Sequence, residues 1–312
     1  MRPDRALIPS VLLALGLPLS VRAALPDVPL PPERTGGAIA AAPGPAIWYA
    51  AQRAGKLGRV SPAGELREIS LPEGSEPVAV AAAPDGTVWY ADMGGNRIGR
   101  VSPDETVKTF AVPTAMSDPW GLAVGPDGNV WFTEMSGNKI GRLAPDGAIT
   151  EFPIPTPEAE PAGIAAGRDG ALWFACRRSN RIGRITTSGE VTEVAVPTAN
   201  SQPESLAVTP DGSVWFSSPN ASRLGRIAPD GSVTETELPH SPAGIAVGPG
   251  GSLWVAFPMA GKLGKVGPGG VTLVPAPGKG GPLALASAGD TIWYSVTTGE
   301  RLGRVQEASQ AR

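Results

Sequence analysis

The stretch GNVWFTEMSGNKIGRLAPDG, residues 128–147, decides the fold because the chain repeats it. GTVWYADMGGNRIGRVSPDE (86–105) precedes it around Trp89, and GALWFACRRSNRIGRITTSG (170–189) follows it around Trp173. Looser copies surround Trp48, Trp215, Trp254 and Trp293, so seven of the eight tryptophans mark a repeat and Trp120 is left over. The marker tryptophans stand 41, 42, 42, 42, 39 and 39 residues apart. A period of about forty residues belongs to a solenoid, propeller or array.

Each copy holds four short runs, in the third copy PWGLAVG, NVWFTEM, KIGRLAP and AITEFPIP. They are rich in β-branched and aromatic residues and are separated by PDG, MSGN and PDG, the punctuation of antiparallel strands. Asp-Gly supplies the positive φ of tight hairpins. Beyond the N-terminal stretch, no segment sustains a helical period. Four strands in each of seven copies predict an all-β, seven-bladed β-propeller of four-stranded antiparallel blades. The 41 Gly and 35 Pro punctuate many turns, while a 41% hydrophobic content separates the chain from a disordered Gly/Pro tract. Blades bury their apolar faces against one another, so residues 24–312 form a single domain. The seventh copy stops after its third strand, and the extended segment ALPDVPLPP precedes the first. Residues 25–31 are therefore expected to supply the outermost strand of the last blade, removing two open edges.

The N-terminus, MRPDRALIPSVLLALGLPLSVRAALPD, runs from a basic start through an apolar stretch to a small-residue site before Ala24. That order reads as a signal peptide over residues 1–23 and predicts a periplasmic or secreted protein, with no membrane span after its removal. Processing would remove three Arg and one Asp, taking the formal charge from −3 to −5. A mildly acidic chain lacks the electrostatic footprint of a nucleic-acid binder. Cys176 is the only cysteine, which excludes an internal disulfide; without C-x-x-C-H, covalent haem attachment is excluded as well. Cys176 reads as a small, semi-buried strand residue or as a reactive thiol. The protein is expected to be a monomer.

The repeat pattern P-x-G-I-A-x-G-P-D-G-x-x-W-F-T-E-x-x-x-N-K-I-G-R-I resembles the streptogramin B lyase (virginiamycin B lyase) family of seven-bladed propellers, over about residues 25–306. The resemblance implies elimination at an ester of a cyclic depsipeptide antibiotic, with magnesium as a possible cofactor. It also implies two catalytic histidines, one in P-H-A-I opening blade six and one in E-P-H-G-I opening blade seven, with nearby glutamates. Here those openings read HSPAGI and GGPLAL, so the histidine slots fall on Ala243 and Leu283 and a glutamate slot on Gly281. A further glutamate slot falls near Thr297. The one histidine in the chain, His240, lies three residues before Ala243. Methyl and hydrogen side chains move no protons, so the family mechanism is not expected.

Residues present in every blade are assigned to packing. They include the marker tryptophans and the basic series Arg59, Arg100, Arg142, Arg184, Arg226, Lys265 and Arg304, expected to pair with backbone or carboxylates between blades. Residues that break the repeat are the site candidates. The slot equivalent to the histidines reads Gly37, Val78, Trp120, Ala162, Glu204, Ala243 and Leu283. Trp120 stands out as a channel plug or a stacking platform, and Glu204 as a rim charge or a ligand for a cation or donor. The loops between second and third strands add Asp92, Glu134, Arg177, Arg178, Asn220 and Met259; the two arginines suit a carboxylate or phosphate. His240 is read as a solvated loop residue or as one reaching the channel. Three readings follow: a module binding a small molecule, glycan or peptide; a carbon–oxygen lyase or lactone/ester hydrolase with a rearranged, divalent-cation-dependent site; and a protein-interaction scaffold of the cell envelope.

Overall fold

Each repeat folds into one antiparallel blade. The computed structural model describes residues 21–31 and 37–307; most of the expected leader, residues 1–20, lies outside them. In blade three the strands Pro119–Val124, Val130–Glu134, Lys139–Leu143 and Ile149–Pro153 pair in chain order. Blades one, two, four, five and six repeat that order over residues 39–70, 77–111, 161–195, 206–237 and 245–275. Blade seven takes Pro282–Ala288, Thr291–Val296 and Arg301–Glu307 from the C-terminal end. The seven first strands touch one another in a closed cycle and so surround the central channel.

Burial follows from this radial order. Second strands are covered by a neighbouring blade on each face, and Val130–Glu134 is buried at every position. The fourth strand Ile149–Pro153 faces water and alternates between half-buried and exposed residues. Among the described residues the apolar clusters number seven, one for each pair of adjacent blades. Val130, Phe132 and Leu143 of blade three pack on Ala79, Ala91 and Ile98 of blade two, for example. No blade buries its own faces, which is why one copy of the repeat cannot stand alone.

The W…IGR signature is a cross-strand device. Every marker tryptophan lies directly opposite a member of the basic series, as Trp131 lies opposite Arg142. In six blades the cation sits over the indole, at 5.1 Å for Arg304 on Trp293 and 6.0 Å for Lys265 on Trp254. This corrects the expectation that the series pairs chiefly between blades. Arg142 and Arg304 do donate to Thr187 and Pro62 carbonyls of the next blade, at 2.9 Å each. Arg184 and Arg226, however, pair with Asp169 and Asp211 of their own blades. The glycine of IGR is needed because the aromatic residue after tryptophan lies across it. A Cβ on Gly141 would collide with the Phe132 ring.

The asparagine of the quoted stretch has a structural task. Asn138 takes φ 53°, a left-handed conformation asparagine tolerates. Its amide donates to the Ile154 and Thr156 carbonyls (3.3 and 3.1 Å) and accepts from the Ala159 amide at 2.7 Å. Asn96 and Asn180 clamp the linkers after their blades in the same manner. Each linker threonine then reaches the following blade: Thr156 donates from both its amide and hydroxyl to Glu193.

The ring closes through the N-terminal segment. Val28–Pro29 pairs with the last strand, Val28 opposite Leu302 and Pro29 opposite Arg301, and the Leu30 amide donates to the Glu300 carbonyl. The expected closing segment 25–31 is thus found in place. Arg301 bridges to Asp27 at 2.7 Å, and Arg304 donates to the Pro26 carbonyl at 2.9 Å. A further short strand, Val21–Ala24, extends the ladder along the last strand as far as Glu307. Cleavage before Ala24 would remove three of its four residues and leave the Val28–Pro29 ladder intact.

Candidate functional site

The channel mouth is built by a glycine in the first strands. The Gly163 amide donates to the Glu204 carbonyl and the Gly244 amide to the Leu283 carbonyl, at 3.0 and 2.9 Å. A Cβ on either glycine would come within 2.5 Å of that carbonyl oxygen, so only glycine permits the approach of neighbouring blades. Blades three and four are joined through a side chain: the Gly121 amide donates to Thr133 Oγ1, which donates to the Ala162 carbonyl, both at 2.7 Å. The residue beside each such carbonyl is thereby fixed at the channel.

Gly37, Val78, Trp120, Glu204, Ala243 and Leu283 line one cavity of about 410 Å³ at this mouth. Slot residues chosen by position in the repeat are therefore brought together, except Ala162, which is fully buried. Trp120 and Glu204 are each half-buried. Among the described lining residues Glu204 is the one ionisable side chain. Two polar groups escaped the sequence reading: Gln52, from the loop after the second strand of blade one, and Ser205, whose Oγ accepts from the Ile245 amide at 3.2 Å. Gln52 occupies the same kind of loop as the other candidates, a position that was the available signal.

The remaining candidates lie away from the cavity. Asp92 is fully buried: Oδ1 accepts from the Glu76 and Gly95 amides (2.7 and 3.1 Å) and Oδ2 pairs with Arg97 at 2.7 Å. Its charge is spent bracing a loop. Glu134 is also fully buried, and neither carboxylate oxygen has a hydrogen-bond partner among the described residues. Burial first, then the Glu151 charge, pushes its pKa up to about 7, against smaller opposing pulls from Lys139 and Ser117. Both are engaged elsewhere, Lys139 with Glu151 Oε2 (2.7 Å) and the Ser117 hydroxyl with Asn96 Oδ1 (3.0 Å). These two acids were expected in exposed loops. They instead end second strands, in a column that reads Ala51, Asp92, Glu134, Cys176, Ser218, Phe257 and Val296 and is buried throughout. Its small and apolar members were the readable sign of burial.

Arg178 is exposed but bridged to Glu158 at 2.9 Å and Glu160 at 3.6 Å, so the anion-binding pair expected from Arg177 and Arg178 offers at most one uncommitted guanidinium. Neither arginine lines the cavity. His240 is half-buried with its ring edge-on to Phe257, 5.8 Å between centroids, and does not line the cavity either. Cys176 is buried, and burial pushes its thiol up to about 12, which leaves almost no thiolate at neutral pH. Asn220 and Met259 sit in single 3-10 turns, Pro219–Ala221 and Pro258–Ala260, with Met259 almost fully exposed.

A closed ring of seven four-stranded blades, with a cavity at its channel mouth, defines a seven-bladed propeller. Comparison with known proteins assigns it further. The virginiamycin B lyase family matches residues 19–193 and 168–312, and the chain belongs to that family. It is similar to a catalytically inactive histidine-to-alanine variant of virginiamycin B lyase from Staphylococcus aureus, solved with quinupristin: 32% identity over 90% of this chain and 98% of that one, TM-score 0.86. A streptogramin B lyase structure shares 26% identity over 91% and 97%, TM-score 0.87. Kuenenia stuttgartiensis hydrazine synthase, at 16% identity and TM-score 0.73, shares the fold. No curated protein matches.

Magnesium, implied by the resemblance, can be tested against the donors present. A divalent cation needs several converging oxygens or imidazoles. The cavity offers the Glu204 carboxylate, the Gln52 amide and the Ser205 hydroxyl, and among the described residues no three of His, Cys, Asp and Glu converge. This set does not fit the histidine–glutamate–metal arrangement of the resemblance.

Proposed function

We propose that this protein is an exported member of the virginiamycin B lyase family that binds a small molecule, glycan or peptide at its channel mouth and does not perform the family's elimination. The observation that carries the reading is the make-up of the mouth. Trp120 and Glu204 share one cavity with Ala243 and Leu283, the two slots where the resemblance expects histidine. Trp120 offers a large apolar face and Glu204 a polar anchor, the usual division of labour in a ligand site. The sole histidine packs on Phe257 outside the cavity. A leader over residues 1–23 would deliver the chain to the periplasm or beyond. The competing reading, a rearranged carbon–oxygen lyase or lactone/ester hydrolase, draws support from Glu204 as a carboxylate at the mouth.

Quinupristin tests the choice. Purified protein is incubated with quinupristin and Mg²⁺, and the mixture is resolved by chromatography and fragment masses. Elimination opens the ring without changing its mass; hydrolysis adds one water. Intact quinupristin is the expected result, and catalytic accumulation of either linear product would overturn the reading.

A further inference from the structure

We propose that the channel mouth selects a singly charged cation carried on a compact apolar or planar body, of which an arylalkylammonium is the simplest form. This rests on the reading of the mouth as a ligand site and adds the charge and shape of the ligand.

The sign of the ligand follows from what lines the cavity. Glu204 is half-buried, and no cation pairs with its carboxylate among the described residues. Its backbone groups are already engaged: the amide donates to the Ser217 carbonyl of the second strand of its own blade and the carbonyl accepts from Gly163 of blade four, both at 3.0 Å. Among the described residues no Lys, Arg or His lines the cavity, so an anionic ligand would meet the Glu204 carboxylate without a compensating cation from these walls. A purely apolar ligand would strip water from the carboxylate and leave it unpaired, which is costly; a neutral hydroxyl or amide restores a hydrogen bond but no opposite charge. A cation supplies both and so compensates the lost solvation most fully. The formal charge of −3 adds a weak long-range attraction of the same sign.

The shape follows from the walls. Val78, Leu122, Ala243, Leu283 and Ala284 supply aliphatic surface, and Trp120 supplies a ring face able to stack on a planar group or to attract a cation. A volume of about 410 Å³ lies at the small end of ligand sites. One charge matches one carboxylate; a dication would bring a second charge with no partner among the described lining residues.

The probes are 2-phenylethylammonium, 2-phenylethanol and 3-phenylpropionate, similar in size and different in charge. Titration calorimetry at about pH 8 is run on the wild type, Glu204→Gln and Trp120→Ala. The ammonium is expected to bind at least about tenfold more tightly than the other two, the scale of a charge-assisted hydrogen bond. Its affinity falls with added salt, since the carboxylate is half-exposed. Glu204→Gln abolishes the preference for the ammonium over the alcohol; Trp120→Ala weakens ammonium and alcohol alike. Equal binding of all three probes, preference for the carboxylate, or no ammonium binding by about 10 mM, a very weak limit, overturns the proposal. If the probes bind equally and Trp120→Ala weakens them, the charge inference falls and the ligand site stands. If both variants bind the ammonium as the wild type does, both fall.

Discussion

Replacing Glu134 with glutamine should remove a pH-dependent loss of stability. In the native protein its carboxyl is buried without hydrogen-bond partners and titrates at about 7, against an ordinary value of 4.5. Below about pH 4.5 the group is protonated in both folded and unfolded chains and contributes no pH-dependent term. Between 4.5 and 7 the unfolded chain loses its proton while the folded one keeps it, so stability falls as pH rises. Above 7 the loss is complete. A difference of about 2.5 pH units at 1.36 kcal/mol each gives a ceiling of roughly 3 kcal/mol. For a domain of this size that is about 5 °C in Tm. The substituted amide would not ionise, so the variant's stability lacks this component. That amide brings its own burial cost, but the cost is constant with pH. The diagnostic is therefore the change in the difference between the two proteins. Urea unfolding followed by tryptophan fluorescence, from about pH 5 to pH 8, reads it. The variant should gain up to about 2.5 kcal/mol on the wild type across that window. A difference constant to within about 0.5 kcal/mol would refute a buried, unsolvated carboxylate here.

Three further outcomes follow. Gly141→Ala places a methyl against the Phe132 ring and should cost about 3 kcal/mol, read as a lowered urea midpoint; a loss under about 1 kcal/mol would mean the ring moves aside freely. Asp27→Ala removes the carboxylate paired with the buried Arg301 guanidinium and should cost about 3 kcal/mol of stability, read as a lowered urea midpoint, whereas an unchanged midpoint would show that the strand ladder alone closes the ring. Cys176 should resist iodoacetamide at pH 8 in the native protein and react once unfolded, because its thiol titrates at about 12; rapid native alkylation would contradict its burial.

The repeat by itself determined the architecture. Tryptophan, its basic partner and the glycine of IGR are joined by contacts within one blade, between strands separated by a single short turn, so a local pattern specifies them. The N-terminal closing segment was legible for a related reason: a seventh copy lacking its fourth strand leaves an edge that an extended segment can fill. The slot that gathers Trp120, Glu204, Ala243 and Leu283 could also be counted, since a fixed period carries each blade's equivalent residue to the same height on the channel.

Which charges are free was decided only by the tertiary structure. Asp92 and Glu134 look like exposed loop acids in a linear reading, yet each ends a second strand that neighbouring blades cover. Arg178 looks available until the linker bends Glu158 and Glu160 against it, and Gln52 reaches the mouth from a loop with no distinguishing sequence. Burial at the strand ends depends on adjacent blades, tens of residues away, and the pairing of Asp92 and Arg178 on how the linker before the blade folds back onto it. A repeat sets what each blade is made of; closing the ring sets which of its polar groups meet water, a partner or the channel.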